Sequence, residues 1–404
     1  MGRTPTWRVD DTPGDRAFRA EVRAWLADVA PDPAVLPLRP SGSGGVGDND
    51  EGEFVDRARA WQLVLHGAQW VGVSWPRAHG GRGATPMQEL ILREELGRAG
   101  ALPSPIFHVG LAVVGPTLIA HGGGAQRDRF LSRILTGDEI WCLLLSEPDA
   151  GSDLAAVRTR AERGQRDWVL NGQKVWSSGA QFSRWGLALV RTNQEKARHR
   201  GLSCLVVDMH GAGVEVRPLR QMTGGTEFNE VFLTDASVPD DHVIGEVDQG
   251  WRILMTTLAN ERTLTGIGAS WFSEDELLGL AGRVERRGGG ARRGRLASVL
   301  GQLEIERFFD LAAQTALKAG GGPPASSSLK KLLLANFVRQ ASDLGLEVQG
   351  PFGMLAGEGA LDQGTWQSRF LDAPHLRIAG GTDEIQRNIV AERILGLPPD
   401  LGGG

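Results

Sequence analysis

Tyrosine is absent from the 404 residues, so no chemistry that needs a phenol can be assigned, and any acid or base must come from Asp, Glu, His, Lys or Cys. Cysteine is scarce. Cys142 and Cys204 each stand beside apolar neighbours, which suits two buried thiols in a reducing compartment and points to the cytoplasm. Long apolar runs are missing as well: stretches such as Trp141 to Leu145 fall far short of the roughly 18 residues of a membrane span. The N-terminal stretch is polar and charged, without the apolar centre of a signal peptide. There is no excess of basic charge either. The formal net charge is −5, which provides no field to hold nucleic acid or an anionic bilayer. No metal-ligating cluster is assigned.

What is present is an ordinary globular composition, 41% hydrophobic, in a chain long enough for two or three packed domains. Apolar residues recur at helical spacing from Pro13 to about Gly137, as in Phe18, Val22, Trp25 and Leu26, and in Phe54, Ala58, Trp61 and Leu65. The Gly/Ser/Asp segment from Pro40 to Asp50 reads as a solvated loop between them. From Trp141 to about Val243 the pattern changes to short runs bounded by turn residues: Trp168 to Leu170, Trp185 to Val190, Leu202 to Met209, Val214 to Leu219 and Glu227 to Thr234. Helical spacing returns from Gly250 to the end, broken at Arg286 to Arg295 and at Gly320 to Ser328. The chain therefore reads as α+β, with boundaries at 1–139, 140–244 and 245–404. The first break alternates arginine with glycine but has no aromatic residue for base stacking, so it reads as a mobile surface loop and not as a nucleic-acid arm.

Three strings carry chemistry. In Ser146-Glu147-Pro148-Asp149-Ala150-Gly151-Ser152-Asp153, Pro148 and Gly151 predict a turn at a strand end that leaves the hydroxyls of Ser146 and Ser152 free to donate; an ordinary turn fits equally. In Asn171-Gly172-Gln173-Lys174-Val175-Trp176-Ser177-Ser178, Asn-Gly predicts a hairpin whose second strand presents Trp176 and Ser178 on one face. That face offers an aromatic plane beside a hydroxyl, suited to a flat ring or to core packing. In Gly380-Gly381-Thr382-Asp383-Glu384-Ile385, Thr382 or Asp383 can cap a helix whose exposed amides favour an anion, as at many helix starts.

In this order the strings resemble the acyl-CoA dehydrogenase family, together with Trp70-Val71-Gly72-Val73-Ser74-Trp75-Pro76, Glu94-Glu95-Leu96, Ser237-Val238-Pro239 and Gly245 to Trp251. The resemblance covers nearly the whole chain. It implies an N-terminal helical domain, a middle β-barrel-like domain and a C-terminal four-helix bundle. It implies FAD, with Leu143, Leu145, Ser146, Gly151 and Ser152 lining the flavin and the start of the CoA site. Trp176 and Ser178 would pack on and bond the reactive edge of the ring, and Thr382 and Glu384 would lie near the ribityl chain and diphosphate. Gln349, Gly350 and Gly353 would approach the adenine end of FAD from a neighbouring subunit.

Removing an α proton from a thioester requires a base held at that carbon. Many family members carry a carboxylate just before the Gly-Thr of the third string, where this chain has Gly380. A second family pattern, Leu-x-x-Glu-Arg, matches Leu258-Ala259-Asn260-Glu261-Arg262. Leu254, Leu258 and Glu261 are spaced by four and three, so Glu261 shares an apolar helix face where desolvation would raise its pKa. Glu261 is the expected base, with Arg262 orienting it and, with Ser152, touching substrate; a structural ion pair is the alternative. After Phe272 the Arg and Phe-Gly pair by which many members grip a partner's FAD is missing. This departure is similar to that of bacterial dehydrogenases of steroid side-chain and other bulky acyl-CoA thioesters, some of which form α2β2 pairs.

The resemblance leaves three readings. The first is a dehydrogenase acting on acyl-CoA, assembled with itself or a paralogous subunit and passing electrons to an electron-transferring flavoprotein. The second is a partner subunit without its own turnover, and the third an acyl-CoA oxidase.

Overall fold

The structure is a computed structural model that describes residues 10–29, 36, 51–196, 198–265, 272, 276–277, 279–280, 282–283, 290–318 and 327–398; of these, the side chains of 51, 261–265, 317–318 and 358 lie outside the description. The chain divides into two compact units, the first essentially Phe18 to Leu264 and the second mainly Thr265 onward.

The first unit begins with helices whose buried rows follow the apolar spacing of the sequence. In α1 (Pro13–Val29) the buried residues include Phe18 and Val22; in α2 (Glu51–Gly67) they include Phe54, Ala58, Trp61 and Leu65. Trp25 meets Trp61 and Trp70 at ring separations of 6.1 and 5.9 Å. Helix α3 (Pro86–Arg98) starts from a reciprocal cap, in which Gln88 N donates to Thr85 Oγ1 at 3.2 Å and Thr85 N to Gln88 Oε1 at 2.9 Å. A π-helical turn, Val109–Val114, then leads into α4 (Gly115–His121) and α5 (Gly124–Thr136). The junction has a steric reason. The Trp75 ring presses against Gly115, where a Cβ would lie 2.1 Å from a ring carbon.

Eight strands follow: β1 (Trp141–Leu144), β2 (Arg160–Arg163), β3 (Asp167–Lys174), β4 (Trp185–Arg191), β5 (Leu202–Asp208), β6 (Val214–Leu219), β7 (Phe228–Pro239) and β8 (Val243–Ile244). They form one sheet in the order β6-β7-β3-β2-β4-β5-β8, with β1 paired parallel to β4. The continuous apolar runs of β4 and β5 are buried on both faces, and Cys142, Leu144, Leu170, Ala188, Val190, Leu205, Val207 and Val231 make the core. The Asn-Gly dipeptide is not a hairpin turn. Asn171 and Gly172 lie inside β3 at a register shift against β7. A side chain at Gly172 would come within 2.5 Å of Thr159 Oγ1, so close strand packing explains the glycine. The β2–β3 turn lies earlier, where Gly164 N donates to Asp167 O at 2.8 Å.

Both cysteines are buried in this sheet, and burial pushes each thiol up to about 12. We therefore expect a disulfide-exchange thiol reagent at about pH 8 to find no reactive thiolate in the folded protein and both after denaturation. Rapid labelling of the native chain would contradict this burial.

The sheet is followed by α6 (Gly250–Thr265), the last helix of the first unit. In the second unit α7 (Gly290–Lys318), α8 (Ser327–Gln349), α9 (Thr365–Asp372) and α10 (Asp383–Arg393) surround a core of Phe272, Val299, Phe337, Val338, Leu344, Val348 and Trp366. Phe272 stacks on Trp366 with ring centroids 5.4 Å apart. The second half of the Arg286 to Arg295 segment is not a loop: it forms the first turns of α7, where Arg292 and Arg295 both pair with Glu347 of α8. Residues 284–289 lie outside the described residues. Among the described residues no helix is long and apolar enough to cross a membrane.

Candidate functional site

The structure ties the first two strings together. Strand β1 ends at Leu144, and the chain turns at Glu147 and Ala150, whose backbones bond each other in both directions at 3.0 Å. Val175, just past β3, donates its N–H to Ser146 O at 2.9 Å. Beneath this contact lies a buried ion pair. The Lys174 ammonium, fully enclosed, donates to Glu147 Oε1 at 2.8 Å, Leu145 O at 3.1 Å and Leu189 O at 2.6 Å. Glu147 also accepts the backbone N–H groups of Arg158 and Thr159 at 2.6 and 2.9 Å. Burial alone would raise the Glu147 carboxyl, but Lys174 and these hydrogen bonds hold it below the usual carboxylate range. For Lys174 burial wins, and its ammonium is held below the ordinary lysine range despite Glu147.

Above this pair the chain leaves the strand. β3 ends at Lys174, so Trp176 and Ser178 do not extend a hairpin. They nevertheless share a face: both are exposed, while Val175 before them and Ser177 between them are buried. The segment is clamped to the start of β7. Ser177 and Asn229 exchange backbone bonds at 3.1 and 3.2 Å, and Asn229 Nδ2 donates to Ser177 O at 3.0 Å and Gln181 Oε1 at 2.6 Å. Within the clamp Trp176 takes φ 62°, a left-handed conformation that strains a bulky side chain. Its ring is 60% exposed, edge-on to Phe228, whereas Trp61, Trp75, Trp141, Trp168 and Trp185 are all buried. Leu143 and Ser146 are half-buried, Leu145 is buried, and Gly151 and Ser152 are exposed on the adjoining turn. The result is an open aromatic plane, with a hydroxyl beside it, on a rigid scaffold.

The remaining expected residues fall in three places. Thr382, not Asp383, caps α10, its Oγ1 accepting Ile385 N–H at 3.3 Å; Asp383 is buried against Arg377 at 2.7 Å. Glu384 is exposed in the first turn of α10. Gly380 and Gly381 have φ 65° and 94°, and their carbonyls accept Gln386 Nε2 at 2.9 Å and Lys331 Nζ at 2.7 Å respectively. Gln349 ends α8, Gly350 takes φ 61°, and Gly353 packs where a Cβ would lie 2.8 Å from Leu346 O. Gly353 therefore has a packing reason that requires no ligand. Helix α6 buries Ile253, Leu254 and Thr257. Glu261 and Arg262 continue its backbone seven and eight residues past Leu254, and their side chains lie outside the described residues.

Sequence reasoning missed the role of Lys174, Glu147 and Asn229. The available signal was a lysine in step with Trp168 and Leu170 on the inward alternation of a strand, since a buried ammonium requires an anion and carbonyls around it.

Sequence profiles of the acyl-CoA dehydrogenase N-terminal, middle and C-terminal domains match residues 12–138, 142–236 and 248–395 in turn. The chain belongs to the acyl-CoA dehydrogenase family. Acyl-CoA dehydrogenase IpdE1 of Mycobacterium tuberculosis is 42% identical over 96% of this chain and 98% of its own length. Among solved structures, the Tcur3481-Tcur3483 steroid ACAD superimposes with TM-score 0.78 at 26% identity, covering 97% of this chain and 99% of that one. The ChsE4-ChsE5 complex from Mycobacterium tuberculosis gives TM-score 0.76 at 28% identity, covering 97% and 99%. The expected architecture and the oxidoreductase class thus hold for this acyl-CoA dehydrogenase, and membership implies a flavin. The resemblance to a steroid-type bacterial branch holds as well.

Proposed function

We propose that this acyl-CoA dehydrogenase uses FAD to introduce an α,β double bond into an acyl-CoA thioester in the cytoplasm, with electrons passing to an electron-transferring flavoprotein. The observation that carries the reading is Trp176: a strained, exposed indole plane beside the Ser178 hydroxyl fits a flat ring rich in hydrogen-bond acceptors. Bound there, the flavin supplies the acceptor for a β hydride. The protein's own part is positional. Trp176 and Ser178 hold the ring, while Ser146, Gly151 and Ser152, on the turn bonded to Val175, offer donors to the cofactor and the start of the thioester. Glu261 takes the α proton, and Arg262 orients the carboxylate and the substrate. Thr382 and Glu384 at the start of α10 serve the ribityl chain and diphosphate, and Gln349, Gly350 and Gly353 approach the adenine end from a neighbouring subunit. The names of the relatives favour bulky steroid-type acyl groups.

The purified protein, alone or with its paralogous subunit, is expected to be yellow or to turn yellow with FAD, and to bleach anaerobically with an acyl-CoA. A protein that binds no FAD at micromolar concentration in either setting would sink the reading. A second reading, a half-site partner without turnover, is favoured by Gly380 in place of a carboxylate and by the two-protein complexes among the structural relatives. It would show as a flavin that bleaches only when the sister chain supplies the base.

A further inference from the structure

Asn229, the second residue of β7, is fully enclosed. In the β6–β7 ladder it stands opposite Pro218, which has no N–H to give, and its own backbone groups bond Ser177 instead. The side chain adds to this pairing. Its Nδ2 donates to Ser177 O at 3.0 Å, to Gln181 Oε1 at 2.6 Å and to Glu227 O at 3.4 Å. Ser177 O can only accept, so the amide nitrogen must face it, and Asn229 Oδ1 is left without a partner among the described residues. Gln181 is held in turn, its Nε2 donating to Thr226 O at 3.3 Å. One carboxamide thus ties the residue after Trp176 to the short turn Ala180–Phe182 and to the end of the β6–β7 connection.

An enclosed amide with one atom unsatisfied weakens a fold. This one also maintains a second unfavourable feature, the left-handed backbone of Trp176, whose φ of 62° strains a bulky residue. The indole is 60% exposed, so burial of the ring does little to offset the strain. The conformation persists because both neighbours are pinned, Val175 by Ser146 O and Ser177 by Asn229. An ordinary φ at this position would move Cβ, and the indole with it, off the face shared with Ser178.

We propose that Asn229, steadied by Gln181, is a positioning residue for the flavin: it fixes the Trp176 indole in the orientation that receives the ring and works through that residue alone. The inference rests on the reading of Trp176 as a flavin contact.

The test is a double-mutant cycle read as FAD affinity, by titration of the apoprotein in the assembly that binds FAD, with the denaturation midpoint recorded beside it. Gln181→Met removes the acceptor for Asn229 Nδ2 from a half-buried position, and Gln181→Glu keeps an acceptor there. Asn229→Asp keeps the shape but sets a carboxylate oxygen against Ser177 O. Gln181→Met and Asn229→Asp are expected to weaken FAD binding roughly tenfold, within the range that one strained backbone position can hold, and Gln181→Glu by less than about threefold. In a Trp176→Gly background no indole remains to position and glycine adopts the left-handed region without strain. There the same substitutions should change FAD affinity by less than about twofold while still lowering the midpoint. FAD affinity left untouched by Gln181→Met, or a loss that persists undiminished in Trp176→Gly, would make Asn229 an ordinary structural amide and overturn the proposal. Should Asn229→Asp fail to fold, Gln181→Met decides by itself. A Trp176→Gly variant that binds FAD as tightly as the parent overturns the reading of Trp176, and the positioning role with it.

Discussion

The Glu261→Gln variant is expected to bind FAD and substrate as the parent does, yet to reduce its flavin roughly 10²- to 10⁴-fold more slowly in anaerobic stopped-flow, the range typical of losing a general base. The argument has two parts. The position usually occupied by the family's carboxylate holds Gly380, which cannot accept a proton, and Glu261 follows Leu254 by two helical turns on a helix whose Ile253, Leu254 and Thr257 are buried. Glutamine preserves size and hydrogen bonding while deleting the proton acceptor, so binding should survive. A Glu261→Gln variant that reduces at the parental rate would make Glu261 an ordinary structural residue and move the base to another carboxylate or to a second subunit.

Lys174→Met should lower unfolding free energy by about 3–5 kcal/mol, because it leaves a buried carboxylate without its cation. Glu147 would keep its two backbone donors, Arg158 and Thr159, so the loss should fall within this range and not beyond it. The double variant Lys174→Met, Glu147→Gln should recover part of the loss, since neutral partners remove the unpaired charge. Denaturant titration gives both values. A change below about 1 kcal/mol in the single variant would mean the pair is no more than a surface-type bridge. The pH dependence has a definite sign. Glu147 is held below its unfolded value, so its contribution is full above the unfolded carboxylate range and disappears as pH falls through the lower folded value. Lys174 is lowered in the folded state, so between its folded and unfolded values the unfolded chain binds more protons and stability rises with pH. In Lys174→Met the acid loss attributable to Glu147 should shrink and the alkaline rise should vanish.

The strands were readable where burial is continuous. The apolar runs at Trp185 to Val190 and Leu202 to Met209 need no knowledge of their neighbours, and β4 and β5 match them within a residue. Asn171-Gly172 was misread because a local turn preference lost to a distant partner: β7 pairs across it, and Thr159 closes on Gly172. The start of α7 was hidden in the same way, since glycines argue against a helix that Arg292 and Arg295 help to pin through Glu347, some fifty residues on. At the candidate site the residue types of Trp176, Ser178 and Thr382 were legible. The left-handed backbone of Trp176 was not, because the next residue, Ser177, is clamped by Asn229, some fifty residues on.

The Lys174 ammonium draws its acceptors from Leu145 and Glu147 in one stretch of chain and from Leu189 in another, some forty residues on. A cation cannot leave water until enough of those acceptors are in place, so the pocket beneath Trp176 assembles in one step or not at all. Local opening of this region therefore has no cheap partial form. Amide protons of Glu147 and Val175 should exchange with solvent as one cooperative group, at the rate of a sub-global opening and not of loop fraying.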